Sequence, residues 1–311
     1  MSEKADDLNL LSGLEEFGFT DLDSISLYGD PESKRSEAVK PKEKTEEDYL
    51  FDRTVECPVC SSKVRVRAVR KSALRVVSRD SDSMVTYEGI NPLFYDIFLC
   101  NTCGYAGTEK QFTQRLLKTQ IDLIKQNISS RWRPKEYPRI YDADIAIERF
   151  KLALLNCVVR KAKNSDIALL CLKLGWVYRV KGDRENEVKY LTQAQVGFKE
   201  ALAKESPPIA GMDGDSVEYI IGELARRIGD YKDALFWFGR VLGNTQARQS
   251  LKDKARDQKY LIADTLKKMR QAQTDKTAEE PAERAKPAAQ EGKKGLGKLL
   301  FGGIGNLVRG Y

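Results

Sequence analysis

Two Cys-x-x-Cys pairs, Cys57/Cys60 and Cys100/Cys103, with residues 61–99 between them, are the side chains in this sequence best suited to chemistry. The tight turn inside each pair points both sulfurs the same way, so two pairs can close a four-sulfur shell around one cation. Pro58 and Gly104 suit such turns, whose backbone amides can donate to sulfur. Four thiolates leave no position for water or substrate, which makes the site structural and leaves the catalytic set empty. Zinc is the leading ion. An iron site of the rubredoxin kind uses similar pairs, so the spacing alone leaves iron open. A thiol redox enzyme using Cys57/Cys60 is the third chemistry such a pair supports, and it ranks last.

Little else could react. The chain has no histidine, which removes the usual general base, metal imidazole and pH switch together. Asp80 and Asp82, with Glu88, have the types for a second metal or acid–base work, but a turn between strands is the plainer reading. Gly295-x-Gly297-Lys298 is followed by Leu299, not Ser or Thr, and follows no strand, so it is no phosphate loop. Nothing assembles into a nucleophile–base pair, and the chain is expected not to be an enzyme. The net charge of +7 is compatible with nucleic acid or an anionic surface. Within it, Lys63, Arg65, Arg67, Arg70, Lys71, Arg75 and Arg79 form a basic cluster. Arg65, Arg67 and Arg70 are the candidate nucleic-acid contacts; the alternative is the solvated face of a half-buried strand.

The elements that must position the cysteines lie in residues 49–112. Lys63–Val69 alternates, with Val64 and Val66 on one face and Lys63, Arg65 and Arg67 on the other. Leu74–Arg79 and Phe94–Leu99 are further strand candidates, the last leading into Cys100 after an Asn91-Pro92 turn. Short antiparallel strands bringing two thiol turns together describe a zinc ribbon. Thr108–Arg131 reads as one helix with a Thr108-x-x-Gln111 start and Phe112, Leu116, Ile121, Ile124 and Ile128 on one side. A connecting helix is therefore expected within 113–140.

Residues 141–270 read as a helical domain. Its apolar stripes are Ile147/Phe150/Leu154/Cys157/Val158, then Leu170/Leu174/Val177/Tyr178, then Val188/Leu191/Phe198/Leu202. Asp215-x-x-Glu218 is expected to cap a helix facing Ile221, Leu224 and Ile228 inward and stopped by Gly229. Asp230 starts the next, with Ala234, Trp237, Phe238 and Val241; a last helix carries Leu251, Ala255, Ile262, Leu266 and Met269. Gly222, Gly229, Ala234 and Phe238 sit at tetratricopeptide offsets, while Glu187 and the stretch Lys199–Gly214 depart from a regular array. Cys157 and Cys171 fall in apolar patterns and read as buried thiols.

The fold class expected is α+β: a small antiparallel zinc-ribbon-like module, a mainly α tetratricopeptide-like domain, and disordered tails at 1–48 and 271–311. The first tail mixes acidic residues with Leu8, Leu11, Leu14 and Phe17, a pattern for a docking peptide or a frayed end. Gly292–Tyr311 carries Lys293, Lys294, Lys298 and Arg309 without an acid, so weak contact with a membrane surface is an expectation there. No apolar run reaches the ~18 residues of a membrane helix. Met1–Asp7 shows no charged-then-apolar leader pattern, and the thiol inventory suits a reducing cytoplasm.

Cys57-Pro58-Val59-Cys60, Arg79-Asp80-Ser81-Asp82, Tyr87, Asn91-Pro92, Tyr95 and Cys100-x-x-Cys103-Gly104-Tyr105-Ala106 together resemble a bacterial family catalogued as domain of unknown function 2225. The resemblance covers roughly 50–270. It implies a cytoplasmic bacterial protein with a zinc-ribbon-like start and tetratricopeptide-like helices, and brings no activity. The resulting expectation is an adaptor for a protein or peptide partner, with a nucleic-acid-binding regulator as the runner-up.

Overall fold

The computed structural model describes residues 45–279, with side chains to 275. The docking-peptide pattern and the basic Gly292–Tyr311 segment lie outside the described residues. The chain divides into two compact units. The first takes in residues up to Ala162 and Lys173–Glu187; the second takes in Lys163–Leu172 and the chain from Val188.

In the first unit six short strands make three antiparallel pairs. β1 (Leu50–Glu56) pairs with β2 (Lys63–Val69) from Leu50↔Val69 to Glu56↔Lys63. β3 (Val76–Arg79) pairs with β4 (Val85–Tyr87), and β5 (Ile97–Leu99) with β6 (Ala106–Thr108). β2 has the bounds its alternation predicts, and Val64 and Val66 are buried on its inner face. The predicted strand Phe94–Leu99 begins later, at Ile97. Asn91 caps a 3-10 turn over Pro92–Tyr95 instead, its side chain accepting from the Leu93 amide.

The single helix expected over Thr108–Arg131 is two. Thr108 caps α1 (Glu109–Thr113) with the reciprocal Gln111 contact its sequence suggests. The backbone then turns extended at Gln114, and α2 runs over Lys118–Asn127. The break lets Leu116 join Phe112, Ile124 and Ile128 in one core with Val64, Val66, Phe98 and Tyr105. Ile121 packs against that cluster from its edge.

α3 (Ala143–Val159) starts on Asp142, which accepts from the Ile145 amide. Ile147, Phe150 and Cys157 are buried as expected, whereas Val158 is exposed. One residue turns a helix by about 100°, which carries position 158 off the buried face; Arg149, Ala153 and Asn156 occupy that face instead. α4 (Asn164–Lys181) and α5 (Arg184–Lys204) follow. Leu170, Leu174, Val177 and Tyr178 are buried, as are Cys171, Leu191 and Phe198.

In the second unit α6 (Gly214–Ile228) is capped by Asp213, two residues before the position expected; Asp215 lies inside the helix and accepts from Asn244. Gly229 ends α6 in the left-handed conformation at φ 92°, a conformation that disfavours a side chain. α7 (Tyr231–Gly243) returns with Ala234 and Phe238 fully buried. A Cβ at Gly222 would stand 3.0 Å from the Phe238 ring, so glycine sets how closely this pair packs. α8 (Gln249–Glu279) buries Leu251, Ala255 and Ile262, but Met269 is exposed, and the helix runs past the expected end at 270. Residues 271–279 contain no glycine or proline to stop it.

Candidate metal centre

Each cysteine pair is the turn of a β-hairpin. Cys57 and Cys60 join β1 to β2; Cys100 and Cys103 join β5 to β6. The two turns share one backbone pattern. The Cys57 amide donates to Ser62 O at 3.0 Å and the Ser61 amide to Cys57 O at 2.9 Å. The Cys100 amide donates to Tyr105 O at 2.8 Å and the Gly104 amide to Cys100 O at 2.9 Å. In both, the residue after the second cysteine has positive φ, 59° at Ser61 and 75° at Gly104.

The hairpins bring all four sulfurs within 4.8 Å of one another, with Cys57–Cys103 and Cys60–Cys100 each at 3.6 Å. Sulfurs bound to one tetrahedral zinc at about 2.3 Å would lie about 3.8 Å apart. The donor set therefore fits a single soft or borderline cation. No other cluster of this kind occurs among the described residues.

The thiols resist ionising together. The neighbouring Cys103 and Cys57 thiols, with the Cys103 and Thr102 amides, hold the Cys100 thiol far below its ordinary value. The nearby Cys100 sulfur in turn raises both Cys57 and Cys103. A shared cation removes that conflict, because each thiolate then faces positive charge.

The second turn is clamped from outside the ribbon. Trp132 Nε1 donates to Asn101 O at 2.9 Å, and its ring covers Gly104 so closely that a Cβ there would lie 2.7 Å from it. Ser129 Oγ donates to Cys103 O at 2.8 Å, and Asn156 Nδ2 on α3 donates to Gly104 O at 3.1 Å. Such outer contacts typically carry about 10–100-fold in metal affinity. Trp132→Ala is accordingly expected to weaken metal retention by about that factor, read by competition with a chromophoric chelator. An unchanged competition curve would separate the clamp from the metal.

Two of the three candidate nucleic-acid arginines, Arg65 and Arg67, share one acidic partner. Arg65 reaches Asp52 at 2.8 Å. Arg67 also grips Asp52, Nε to Oδ1 at 2.8 Å and Nη2 to Oδ2 at 3.1 Å, and donates to Arg139 O at 2.7 Å. The Arg70 guanidinium lies over the Phe51 ring at 5.5 Å. Asp80 and Asp82 shape the β3–β4 turn, as the plainer reading expects: the Asp80 amide donates to Met84 O and the Met84 amide to Asp82 Oδ1. Both carboxylates meet Arg179, at 3.0 and 2.6 Å, and Glu88 is exposed. Cys157 is a buried thiol that accepts from Gln111 Nε2. Trp132, Asn156, Arg149 and Arg179 were not singled out by spacing; the only signal at Arg149 and Asn156 is a polar residue on an otherwise buried helical face.

The model of the family described as "Uncharacterized protein conserved in bacteria (DUF2225)" matches residues 50–262, more than half of the 311. The chain belongs to this family. The match spans both thiol turns and the helices into the first half of α8. No curated protein and no solved structure matches the chain. Among the described residues no helix is long and apolar enough to cross a membrane.

Proposed function

We propose that this protein is a non-enzymatic adaptor of the bacterial cytoplasm, in which a structural zinc ribbon accompanies a tetratricopeptide-like helical part that holds a protein or peptide partner. The closed four-sulfur set carries the reading: it offers a cation no open position, so the site can stabilise but has nowhere to bind a substrate. Zinc is the leading ion for this four-thiolate set, and the colour and metal content of purified protein separate it from iron.

The helical part supplies the binding side of the reading. The α6–α7 hairpin has a glycine at the close approach, a left-handed glycine at the turn and a buried alanine in the return helix. That is the packing economy of tetratricopeptide pairs. Phe236 on α7 is 58% exposed, and Tyr260 and Leu261 on α8 are exposed too. Exposed aromatic and aliphatic side chains on helices suit a groove for an apolar peptide face.

The test is affinity capture of the full chain with in-cell crosslinking and mass spectrometry, repeated for Phe236→Glu and Tyr260→Glu. A specific protein partner lost in these variants and retained in Arg65→Ala/Arg67→Ala supports the adaptor. Salt-sensitive nucleic acid, lost only in the arginine variant, would transfer the function to the ribbon.

A further inference from the structure

A groove of about 710 Å³ lies in the first unit between the Arg65–Arg67 edge of β2 and residues 135–141. Five cationic side chains line it (Arg65, Arg67, Lys135, Arg139 and Arg149) against two carboxylates, Asp52 and Glu136. Asp52 is already shared by Arg65 and Arg67, which pull its carboxyl below the usual range, Arg67 foremost through its hydrogen bond. Lys135 pairs with Glu148, and Arg139, mostly exposed, approaches Glu47 only at 3.9 Å.

Arg149 is the residue that needs explaining. It comes from the middle of α3, is 5% exposed, and among the described residues has no carboxylate within ion-pair distance. Its Nη2 donates to Ile97 O at 2.5 Å and its Nε finds no acceptor. Tyr137 and Tyr141 face its guanidinium, with centroids at 5.1 and 4.8 Å. Burial disfavours its charge, yet a guanidinium in a protein does not give up its proton. Buried charges are normally paired. The cation–π contacts offset part of the cost, and the rest calls for an anion.

We propose that this groove binds a small phosphate-bearing molecule, its charge shared by Arg149 at the floor and by Arg65, Arg139 and Lys135 at the rim. Guanidinium forks match phosphate oxygens in pairs, and a phosphate-bearing group carries more charge and more acceptor oxygens than a single carboxylate for the several donors that line the groove. A single-stranded nucleic acid is a poorer occupant, because it needs free aromatic faces for its bases. Here Tyr137 is faced by both Lys135 and Arg149, and Tyr141 by Arg149 and the stacked Tyr95 ring at 4.8 Å. The site is independent of the adaptor reading.

The experiment is calorimetric titration of the full chain, as purified, with inorganic pyrophosphate at low ionic strength, with metal content measured before and after. The expected result is saturable binding at one site with the metal retained. Arg65→Ala/Arg139→Ala, at two exposed positions, weakens it by about tenfold or more. Arg149→Gln abolishes it, and Lys254→Ala on α8 leaves it unchanged. No saturable heat, heat that accompanies metal loss, or equal heat in the double variant would overturn the proposal. So would citrate binding as well as pyrophosphate, or a hexanucleotide binding more tightly.

Discussion

Removing the cation from Cys57, Cys60, Cys100 and Cys103 is expected to unfold the ribbon while α6–α8 stay helical. Structural zinc contributes roughly 10–16 kcal/mol of apparent binding energy in zinc-finger peptides. The ribbon has little to set against that loss. Its sheets are three separate two-stranded pairs, and β4, β5 and β6 are three residues each; a lone hairpin is marginal in water. The sulfurs themselves sit in the main core, with Cys57, Cys100 and Cys103 all buried beside Val64, Phe98 and Tyr105. Strong chelation, or Cys100→Ser, should therefore erase the near-ultraviolet signal of Trp132 and deprotect the amides of 50–108 to hydrogen exchange. Acid should act in the same direction, since protons compete with the metal for thiolate and affinity falls as pH drops. Cys157→Ser, at a thiol outside the cluster, should keep a full metal complement. Purified protein is expected to hold about one zinc per chain and to be colourless. Metal-free protein whose ribbon remains folded in chelator would remove the structural role.

The parts of this site legible from sequence are those in which local chemistry decides the outcome. Cys-x-x-Cys spacing fixes a turn, and the valine–arginine alternation of β2 fixes which face goes inward. β1 and β6 were not legible for opposite reasons. Phe51, Asp52 and Arg53 are successively half-buried and show no alternation, so only the pairing with β2 defines this stretch as a strand. Ala106 and Gly107 have little strand propensity, and β6 exists because β5 and the second thiol turn hold it. The helix break at Gln114–Leu117 follows from where Leu116 must pack, a tertiary demand on a run that reads as helix from end to end. The clamp on the second turn comes from Trp132 and Asn156, far along the chain from Cys103, and periodicity carries no information about such pairings.

Asp82→Asn is expected to be among the most damaging single changes outside the cysteines, costing about 3–5 kcal/mol and lowering the melting temperature by on the order of 10 °C. The β3–β4 hairpin has almost no core of its own: Val76 and Val77 are 57% and 66% exposed. What fixes it is a buried charge cluster. Asp82, fully buried, accepts from Arg179 Nη2 at 2.6 Å and from Trp176 Nε1 at 3.0 Å. Arg179 Nε meanwhile bonds Glu187, whose side chain is 5% exposed, at 2.7 Å. Burial works against the Arg179 charge, but Asp82 and Glu187 outweigh it and hold the group above its ordinary value. Asp82 accepts through both oxygens, Oδ1 from the Met84 amide and Oδ2 from Trp176 and Arg179, so asparagine, with one oxygen, loses an acceptor as well as the charge and its cost combines the two. Arg179→Met should cost more, because it removes the one cation shared by Asp80, Asp82 and Glu187, with Arg184 still on Glu187, where Asp82→Asn leaves Arg179 with Glu187 and Asp80 in reach. Combining the two should cost less than their sum, by about 0.5–3 kcal/mol, since neither change then abandons the same partner twice. Hydrogen exchange at residues 76–87 distinguishes the outcomes: protection lost there first means the cluster anchors the hairpin. Unchanged protection with an unchanged melting temperature would mean that backbone pairing alone holds it, and that the buried charges add nothing to stability.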